Sequence, residues 1–298
     1  MSHYSIKDLE NLTGIKAHTI RMWEQRYNLI TPERTDTNIR TYGSEDLKLM
    51  LNVSLLNNHG YKISKIAKMS SNEVCNCVME TIEKRSSFED QIGALTIAML
   101  DLNEQYFDQI MSKNITEFGF EQTMIKIIYP FFSRVGTLWI ANAVNPAQEH
   151  FISNLIRQKV IQAISSTDCL SKNARKFLLF LPEGELHELS LLFAYYLIKS
   201  RGHQVFYLGQ NMPMHDLYSV YETHKADYLF AIITTTPSQD QIQNYVDKLA
   251  DLIPNAKILL TGRQVVGQDI QTKDNTTVIT DISILINLIE ELAESNRS

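Results

Sequence analysis

Apolar positions along the chain change their period twice. Over the first seventy residues they come in short helical runs: Ile6, Leu9 and Leu12 recur at helix spacing until Gly14, then Ile20 and Trp23 stand three apart on a helix spanning 17–26. Periodicity lapses over 30–42, which predicts a short hairpin or wing. Ser44, followed by Glu45 and Asp46, predicts a third helix with an N-cap and acids at the positive end of its dipole. Leu47, Leu51 and Leu55 give that helix a core stripe until Gly60, and Ile63 and Ile66 mark a short fourth. Two short helices joined across Thr13-Gly14-Ile15-Lys16 form a helix-turn-helix, whose second helix is suited to a DNA major groove.

From about residue 75 to 170 the pattern is helical throughout. Ser70 and Glu73 have capping-box spacing. Phe88, Ile92, Leu95, Met99 and Leu102 form one stripe, and Phe107, Ile110 and Met111 another. Residues 121–140 are apolar on most faces, and Asn145-Pro146 opens a long helix to about Ser166, with proline at its first position. Helices of this length with short connectors imply a bundle. Beyond 175, strands predicted at 176–181, 204–208, 228–234, 257–261 and 277–279 alternate with helices at 188–201, 214–224, 239–252 and 281–294, the signature of a doubly wound parallel sheet. The fold class is therefore multidomain α and α/β: a winged helix-turn-helix over 1–72, a helical bundle over 73–170, and a Rossmann-like α/β domain over 171–298.

Composition narrows the function classes. With 44% hydrophobic residues and only 11 Gly and 7 Pro in 298, the chain is neither disordered nor fibrous. Runs such as 177–181 and 228–233 are too short to cross a bilayer. The start, Met1-Ser2-His3-Tyr4, lacks a secretory pattern. Three cysteines make no disulfide framework, and Cys75-x-Cys77 with a distant Cys169 has no zinc spacing. A cytoplasmic protein with no membrane segment is expected. The net charge of −6 argues against nucleic acid until the chain is divided. Residues 1–72 hold ten Lys/Arg against seven acids, or +3, and the remainder carries −9.

The positive segment also holds the residues that suit DNA. Lys16, His18, Thr19, Arg21 and Met22 occupy the face of the second helix opposite Ile20 and Trp23. Arg26 extends that helix, and Arg34 and Arg40 flank the wing, where phosphates would lie. Tyr27 and Tyr42 can pack by their rings and donate a hydroxyl to phosphate; Trp23 reads as a core anchor. His18, Thr19 and Met22 are candidates for base contact, unranked by the sequence. The run Ile6-x-x-Leu9, Thr19-Ile20-Arg21-x-Trp23-Glu24-Gln25-Arg26-Tyr27, Pro32-x-Arg34, Arg40-x-Tyr42, Asp46-Leu47 and Gly60 before Ile63 closely resembles the MerR family of winged-helix transcription regulators.

In a doubly wound sheet, ligands sit at the carboxyl ends of the strands. There, after the first strand of the last segment, stands Pro182-Glu183-Gly184-Glu185-Leu186-His187-Glu188-Leu189-Ser190. His187 in this loop can reach a ligand above the sheet, with Glu185 or Glu188 holding its second nitrogen and fixing the tautomer. The loop and its helix, running on to Tyr207-Leu208-Gly209, resemble the cobalamin-binding domain shared by methionine synthase and related proteins, with the preceding bundle similar to that family's cap. The family pattern is D-x-H-x-x-G, then S-x-L, then G-G, and its histidine binds cobalt. Here the first motif reads Glu185-x-His187-x-x-Ser190, the second falls at Thr234-Thr235-Thr236-Pro237, and the third at Thr261-Gly262-Arg263. The resemblance thus implies His187 as the cobalt ligand, with Glu185, Ser190, Thr235 and Gly262 around the cofactor. Ser190 and Arg263 replace glycines.

Light-sensing, adenosylcobalamin-dependent MerR repressors resemble the chain further. They share the glutamate of the first motif, and they place a Trp ten residues before a Glu-His pair that covers the cofactor's upper face. Trp139 precedes Glu149-His150 at that interval. Ile140 stands where those photoreceptors can carry a second histidine. The resemblance implies a non-enzymatic regulator, a repressor that binds double-stranded operator DNA as a homodimer or homotetramer and senses adenosylcobalamin, with light sensing open at Ile140. The rival is the same regulator with a degenerate cobalamin fold, controlled by a protein partner or by oligomerisation. A cobalamin-carrying methyltransferase component would share the last two segments but has no use for residues 1–70.

Overall fold

The computed structural model describes residues 4–35, 37–84, 87–140, 144–167, 170–171 and 174–294, with backbone only at 75, 79, 82–84, 137, 139 and 140. Its contacts divide the chain into two compact units, 1–155 and 156–298.

The first unit opens with α1 (Ile6–Thr13), α2 (Ala17–Tyr27), the antiparallel pair β1 (Glu33–Arg34) and β2 (Arg40–Thr41), α3 (Ser44–Asn58) and α4 (Ile63–Ile66). Each boundary has a local cause. Ser5 caps α1 reciprocally with Asp8, and Gly14 ends it in the left-handed region at φ +73°. Lys16, at the start of α2, has no acceptor to offer. Glu10 does that work instead, accepting from Ala17 N at 3.1 Å and from Lys16 Nζ at 3.0 Å. The third helix begins one residue differently from expectation. Gly43 is the cap, its N–H held by Asp46 Oδ2 at 2.8 Å, and Ser44 is the first helical residue. Tyr4 and Tyr42 exchange two backbone hydrogen bonds of 2.9 Å, clipping the chain start to the wing.

The bundle follows: α5 (Ser71–Lys84), α6 (Phe88–Leu100), α7 (Glu104–Phe118), α8 (Phe120–Thr123), a π-helical turn at Met124–Ile128, α9 (Tyr129–Ile140) and α10 (Pro146–Ser165). Ser70–Glu73 forms the expected capping box, and Asn145 with Gln148 makes a similar pair before α10. From Gln91 to Leu100, α6 is buried at every position but Gly93, so it is the central helix. Arg134 on α9 ties this bundle to the helix-turn-helix, donating to Leu12 O at 2.5 Å and to Glu89 Oε1 at 3.2 Å. None of the described helices is long and apolar enough to cross a membrane.

The second unit begins within α10, at Ile156, so that Arg157 belongs to it, and continues as the doubly wound sheet: β3 (Lys176–Pro182), α11 (Leu189–Ser200), β4 (Gln204–Met212), α12 (Met214–His224), β5 (Tyr228–Ile232), α13 (Ile242–Leu252), β6 (Lys257–Thr261), β7 (Thr276–Val278) and α14 (Ile282–Glu294). Its five strands run parallel in the order β4-β3-β5-β6-β7. Leu178, Phe180, Leu229, Ala231, Ile258 and Leu260 pack with Leu217 and Tyr221 of α12 and Val246 and Leu249 of α13 in one apolar cluster. The strand order reverses direction between β3 and β5, so their carboxyl-end loops flank the crevice where this fold binds ligands.

Candidate functional site

The loop after β3 is organised around one buried carboxylate. Glu185 has no solvent-exposed surface. Its Oε1 accepts from His187 Nδ1 at 2.6 Å and from the backbone N–H groups of Leu186 and His187 at 3.0 and 3.2 Å. Oε2 reaches across to the loop after β5. There it accepts from Thr234 N at 2.9 Å, Thr235 N at 2.6 Å, Thr235 Oγ1 at 3.0 Å and, at a longer 3.4 Å, Thr236 N. Burial alone would raise the carboxyl's pKa. The His187 imidazole and these backbone donors outweigh it and hold the group at about 2. Of the two acids flanking His187, Glu185 is therefore its partner. Glu188 points elsewhere, to Arg157 and Tyr207.

With Nδ1–H donated to Glu185, the ring's other nitrogen, Nε2, is left for a ligand, and the His187 side chain is 64% exposed. That is an arrangement suited to a metal-ligating imidazole: one ring nitrogen is engaged by a carboxylate that fixes the ring, and the other is left for a ligand. Thr236 Oγ1 is buried beside the same loop without a hydrogen-bond partner among the described residues. No cluster of three His, Cys, Asp or Glu occurs among the described residues. A single imidazole thus suits a metal that arrives within a larger cofactor, as cobalt does in cobalamin. Thr235 joins His187 through Glu185. Gly262, after β6, lies against the backbone of Ile233 just before Thr234. Ser190 is half-buried in the first turn of α11, and Arg263 is exposed.

Sequence reasoning missed the supports of this loop. Gly184 N donates to Asn211 Oδ1 at 2.8 Å, Asn211 N to Glu185 O at 3.3 Å, and Gln210 Nε2 to Leu186 O at 2.6 Å. Both residues belong to β4, which runs to Met212 rather than stopping at Leu208. The polar pair Gln210-Asn211 just past Gly209 is the signal that could have found them.

The carboxylate sets a pH dependence. Its folded pKa is depressed from the ordinary 4.5 to about 2. The stability it contributes is therefore complete above the ordinary value and lost as pH falls through the window between the two. Over that window the second unit is expected to lose about 3 kcal/mol. Near-ultraviolet circular dichroism on acid titration checks this, and a Glu185→Gln chain should lack that component.

The remaining cofactor candidates lie in the first unit. Glu149 stands in the first turn of α10 and His150 follows it, with His150 Nδ1 3.2 Å from Glu149 Oε2; the imidazole is exposed and the carboxylate half-buried. Trp139 and Ile140 have backbone positions at the end of α9, and their side chains lie outside the described residues.

The helix-turn-helix presents His18, Arg21, Met22 and Arg26 on the exposed side of α2, with Ile20 and Trp23 buried behind them. Thr19 and Tyr27 are half-buried there, and Arg26 lies over the Tyr27 ring at 5.4 Å. Lys16 is exposed but paired with Glu10. In the wing, Arg34 donates to Asn38 Oδ1 at 2.7 Å. Two residues expected to meet phosphate, Tyr42 and Arg40, engage Glu24 of α2. Tyr42 is fully buried and its hydroxyl donates to Glu24 at 3.4 Å; burial and that carboxylate push its pKa up to about 12. Arg40 Nε pairs with the same glutamate at 3.2 Å, tying wing to α2. Arg21→Ala is expected to lower the salt slope of DNA binding by about one. Arg40→Ala should weaken binding by loosening the wing, with a smaller change in slope. Binding isotherms at several salt concentrations separate the two.

Residues 4–73 match the MerR HTH family regulatory protein model, and residues 91–163 match a B12 binding domain model. The chain is 25% identical over 265 residues to the HTH-type transcriptional repressor CarH of Myxococcus xanthus, covering 87% of this chain and 88% of that one. To the repressor CarA of the same organism it is 26% identical over 210 residues, covering 70% and 68%. The monomethylamine corrinoid protein of Methanosarcina barkeri shares the fold of 69% of the chain and of its own full length, at a TM-score of 0.55 and 16% identity. The chain accordingly carries an N-terminal MerR-type helix-turn-helix regulatory domain followed by a B12 binding domain.

Proposed function

We propose that the protein is a sequence-specific transcriptional repressor whose sensor half binds adenosylcobalamin. The observation that carries this reading is the His187–Glu185 pair: an exposed imidazole whose Nδ1 is held by a buried carboxylate, in a chain that also has a MerR-type DNA-binding segment. His187 would ligate cobalt. Glu185 would hold the imidazole, Thr235 and the neighbouring backbone would hold Glu185, and Gly262 lets the loop after β6 approach closely. Ser190 lies in the first turn of the helix that follows the His187 loop. Trp139, Glu149 and His150 are the further candidates for holding the ligand, with the acid and imidazole available to its hydroxyl groups. Bound adenosylcobalamin supplies a cobalt centre and a carbon–cobalt bond that light can cleave. The protein's part would be to hold that centre through His187 and translate its state into DNA affinity. The exposed face of α2 and the wing arginine Arg34 would contact operator DNA. Association of two or four copies would match a two-fold-symmetric site, in the cytoplasm where such DNA lies.

The test is to add adenosylcobalamin to the purified protein in darkness, desalt, and record the absorbance spectrum and elution volume before and after green light. Retained chromophore in the wild type and its loss in a folded His187→Ala chain are expected. A light-induced change in elution volume would extend the reading to photosensing despite Ile140. If no chromophore survives desalting, the cofactor reading falls, and a cofactor-free regulator, to which the replacements at Ser190 and Arg263 point, takes its place.

A further inference from the structure

Glu188 follows His187 directly, yet its carboxylate turns away from the imidazole. Oε1 accepts from Arg157 Nε at 2.5 Å, and Oε2 accepts from the Tyr207 hydroxyl at 3.1 Å. The glutamate side chain is only 14% exposed. Burial, with Glu188 facing it, raises the Tyr207 hydroxyl well above its ordinary pKa, so it stays a donor. The Tyr207 ring is itself fixed, stacked on Tyr195 at 5.4 Å. These three groups come from three elements: Arg157 from α10, Tyr207 from β4, and Glu188 from the residue that opens α11. As the N-cap, Glu188 makes no side-chain cap bond; both its oxygens are committed to the other two elements. A carboxylate near a helix N-terminus is favoured by the dipole, and a partly buried charge-assisted pair is stronger than an exposed one.

The loop bearing His187 is therefore held at three points. Asn211 and Gln210 hold its start and middle, Glu185 ties its centre to the loop after β5, and the Glu188 group fixes its end. Only the last of these reaches α10. We propose that Arg157, Glu188 and Tyr207 are positioning residues that orient His187 toward its ligand. The clamp restricts rotation of the backbone one residue after the imidazole, and so keeps Nε2 aimed out of the loop once Glu185 has set the tautomer. This role rests on the cobalamin reading of the site. Arg157 acts through Glu188, and Tyr207 completes the carboxylate's second oxygen.

The experiment uses the full chain loaded with adenosylcobalamin in darkness, comparing wild type, Arg157→Ala, Glu188→Gln, Tyr207→Phe and His187→Ala. Two quantities are read: the absorbance signature of imidazole-ligated against unligated cobalt, with His187→Ala defining the second, and the rate of cofactor release. Thermal unfolding of the cofactor-free chains is the control for a merely structural role. Arg157→Ala and Glu188→Gln are expected to shift the spectrum toward that of His187→Ala and to release cofactor about tenfold faster. Tyr207→Phe should give a smaller shift, and Arg157→Lys should recover part of the ligated signature. Wild-type spectra and release rates in the clamp variants, with the wild type itself ligated by His187, would overturn the clamp alone. Should Arg157→Ala fail to fold, Tyr207→Phe removes a single oxygen and decides the matter in the same way. A wild type that retains no cofactor, or whose spectrum matches that of His187→Ala, overturns the cofactor reading and the clamp with it.

Discussion

Replacing Glu185 with alanine is expected to abolish cofactor retention and to lower the unfolding midpoint of the second unit by on the order of 10 °C. The carboxylate takes hydrogen bonds from two backbone N–H groups of its own loop, from the His187 ring and from the Thr234–Thr235 backbone and hydroxyl. Each buried donor left unpaired costs roughly 1–3 kcal/mol, and several would be stranded at once. Local collapse or water entry recovers part of that, leaving a net loss of about 3–5 kcal/mol. Conservative replacements distinguish charge from reach. Glu185→Gln has one acceptor oxygen for two sets of donors, so its amide nitrogen must face N–H groups on one side; it should approach the alanine chain in severity. Glu185→Asp keeps both oxygens and the charge and loses one methylene of reach, and should be the mildest of the three. Calorimetry of the cofactor-free chain with chromophore retention after desalting orders them. A glutamine variant as stable and as retentive as wild type would show that the charge is dispensable.

That network shows where sequence patterning gives out. Glu185 and Glu188 stand two before and one after His187, and a loop without periodicity lets either reach the ring. The choice is made by Thr234, Thr235 and Thr236, some fifty residues away, whose N–H groups converge only because β3 and β5 are neighbours in the sheet. Strand β4 outruns its apolar pattern by four residues for a related reason. Gly209 adopts φ +77° and Gln210-Asn211 are polar, which ends an alternating pattern on paper. At the edge of the sheet those polar side chains are free to bind the adjacent loop, and the backbone continues through register shifts opposite Phe180. Where apolar period sets an element, reading and structure agree to within a few residues: β5 ends at Ile232 rather than Thr234, and α13 opens at Ile242 rather than at 239. The bounds of α12 (Met214–His224) and β6 (Lys257–Thr261) match to the residue.

The wing gives a second instance of the same limit. Arg34, Arg40 and Tyr42 are equivalent in sequence as groups able to meet phosphate. In the structure a single half-buried acid, Glu24 on α2, claims two of them. Exposed polar function and buried polar scaffolding draw on the same residue types, and only the position of a distant partner tells them apart. Division of the charge is more reliable, because it needs no partner: the basic surplus falls within the segment that matches a DNA-binding family.

The most severe single methyl addition in the second unit is expected at Gly262. Its backbone sits at φ +107°, outside the range L-residues favour, and a Cβ there would lie 2.4 Å from Ile233 O and 2.8 Å from Ile233 C and N. Those are backbone atoms, and they have nowhere to go. Ile233 N donates to Thr261 O at 2.8 Å, and Ile233 O accepts from Gln264 N at 3.0 Å, so Ile233 is pinned from both sides by the strand and turn that carry the glycine. Pushing it away breaks those bonds and drags Thr234 and Thr235 off Glu185, which frees His187. Gly262→Ala should therefore cost about 4 kcal/mol or more, at the extreme of single substitutions, and eliminate cofactor retention through a residue that need never touch the ligand. Gly267 supplies the control. It too has a positive φ, +74°, but a Cβ added there would meet no atom within 4 Å, so Gly267→Ala bears the backbone strain alone, about 1 kcal/mol. Gly184, at φ +82° with the Thr236 hydroxyl 3.4 Å from its Cβ position, falls between them, because a side chain can yield where a backbone cannot. Equal unfolding midpoints for the Gly262 and Gly267 variants would refute the close approach as the cause, and the order Gly267, Gly184, Gly262 in increasing damage supports it.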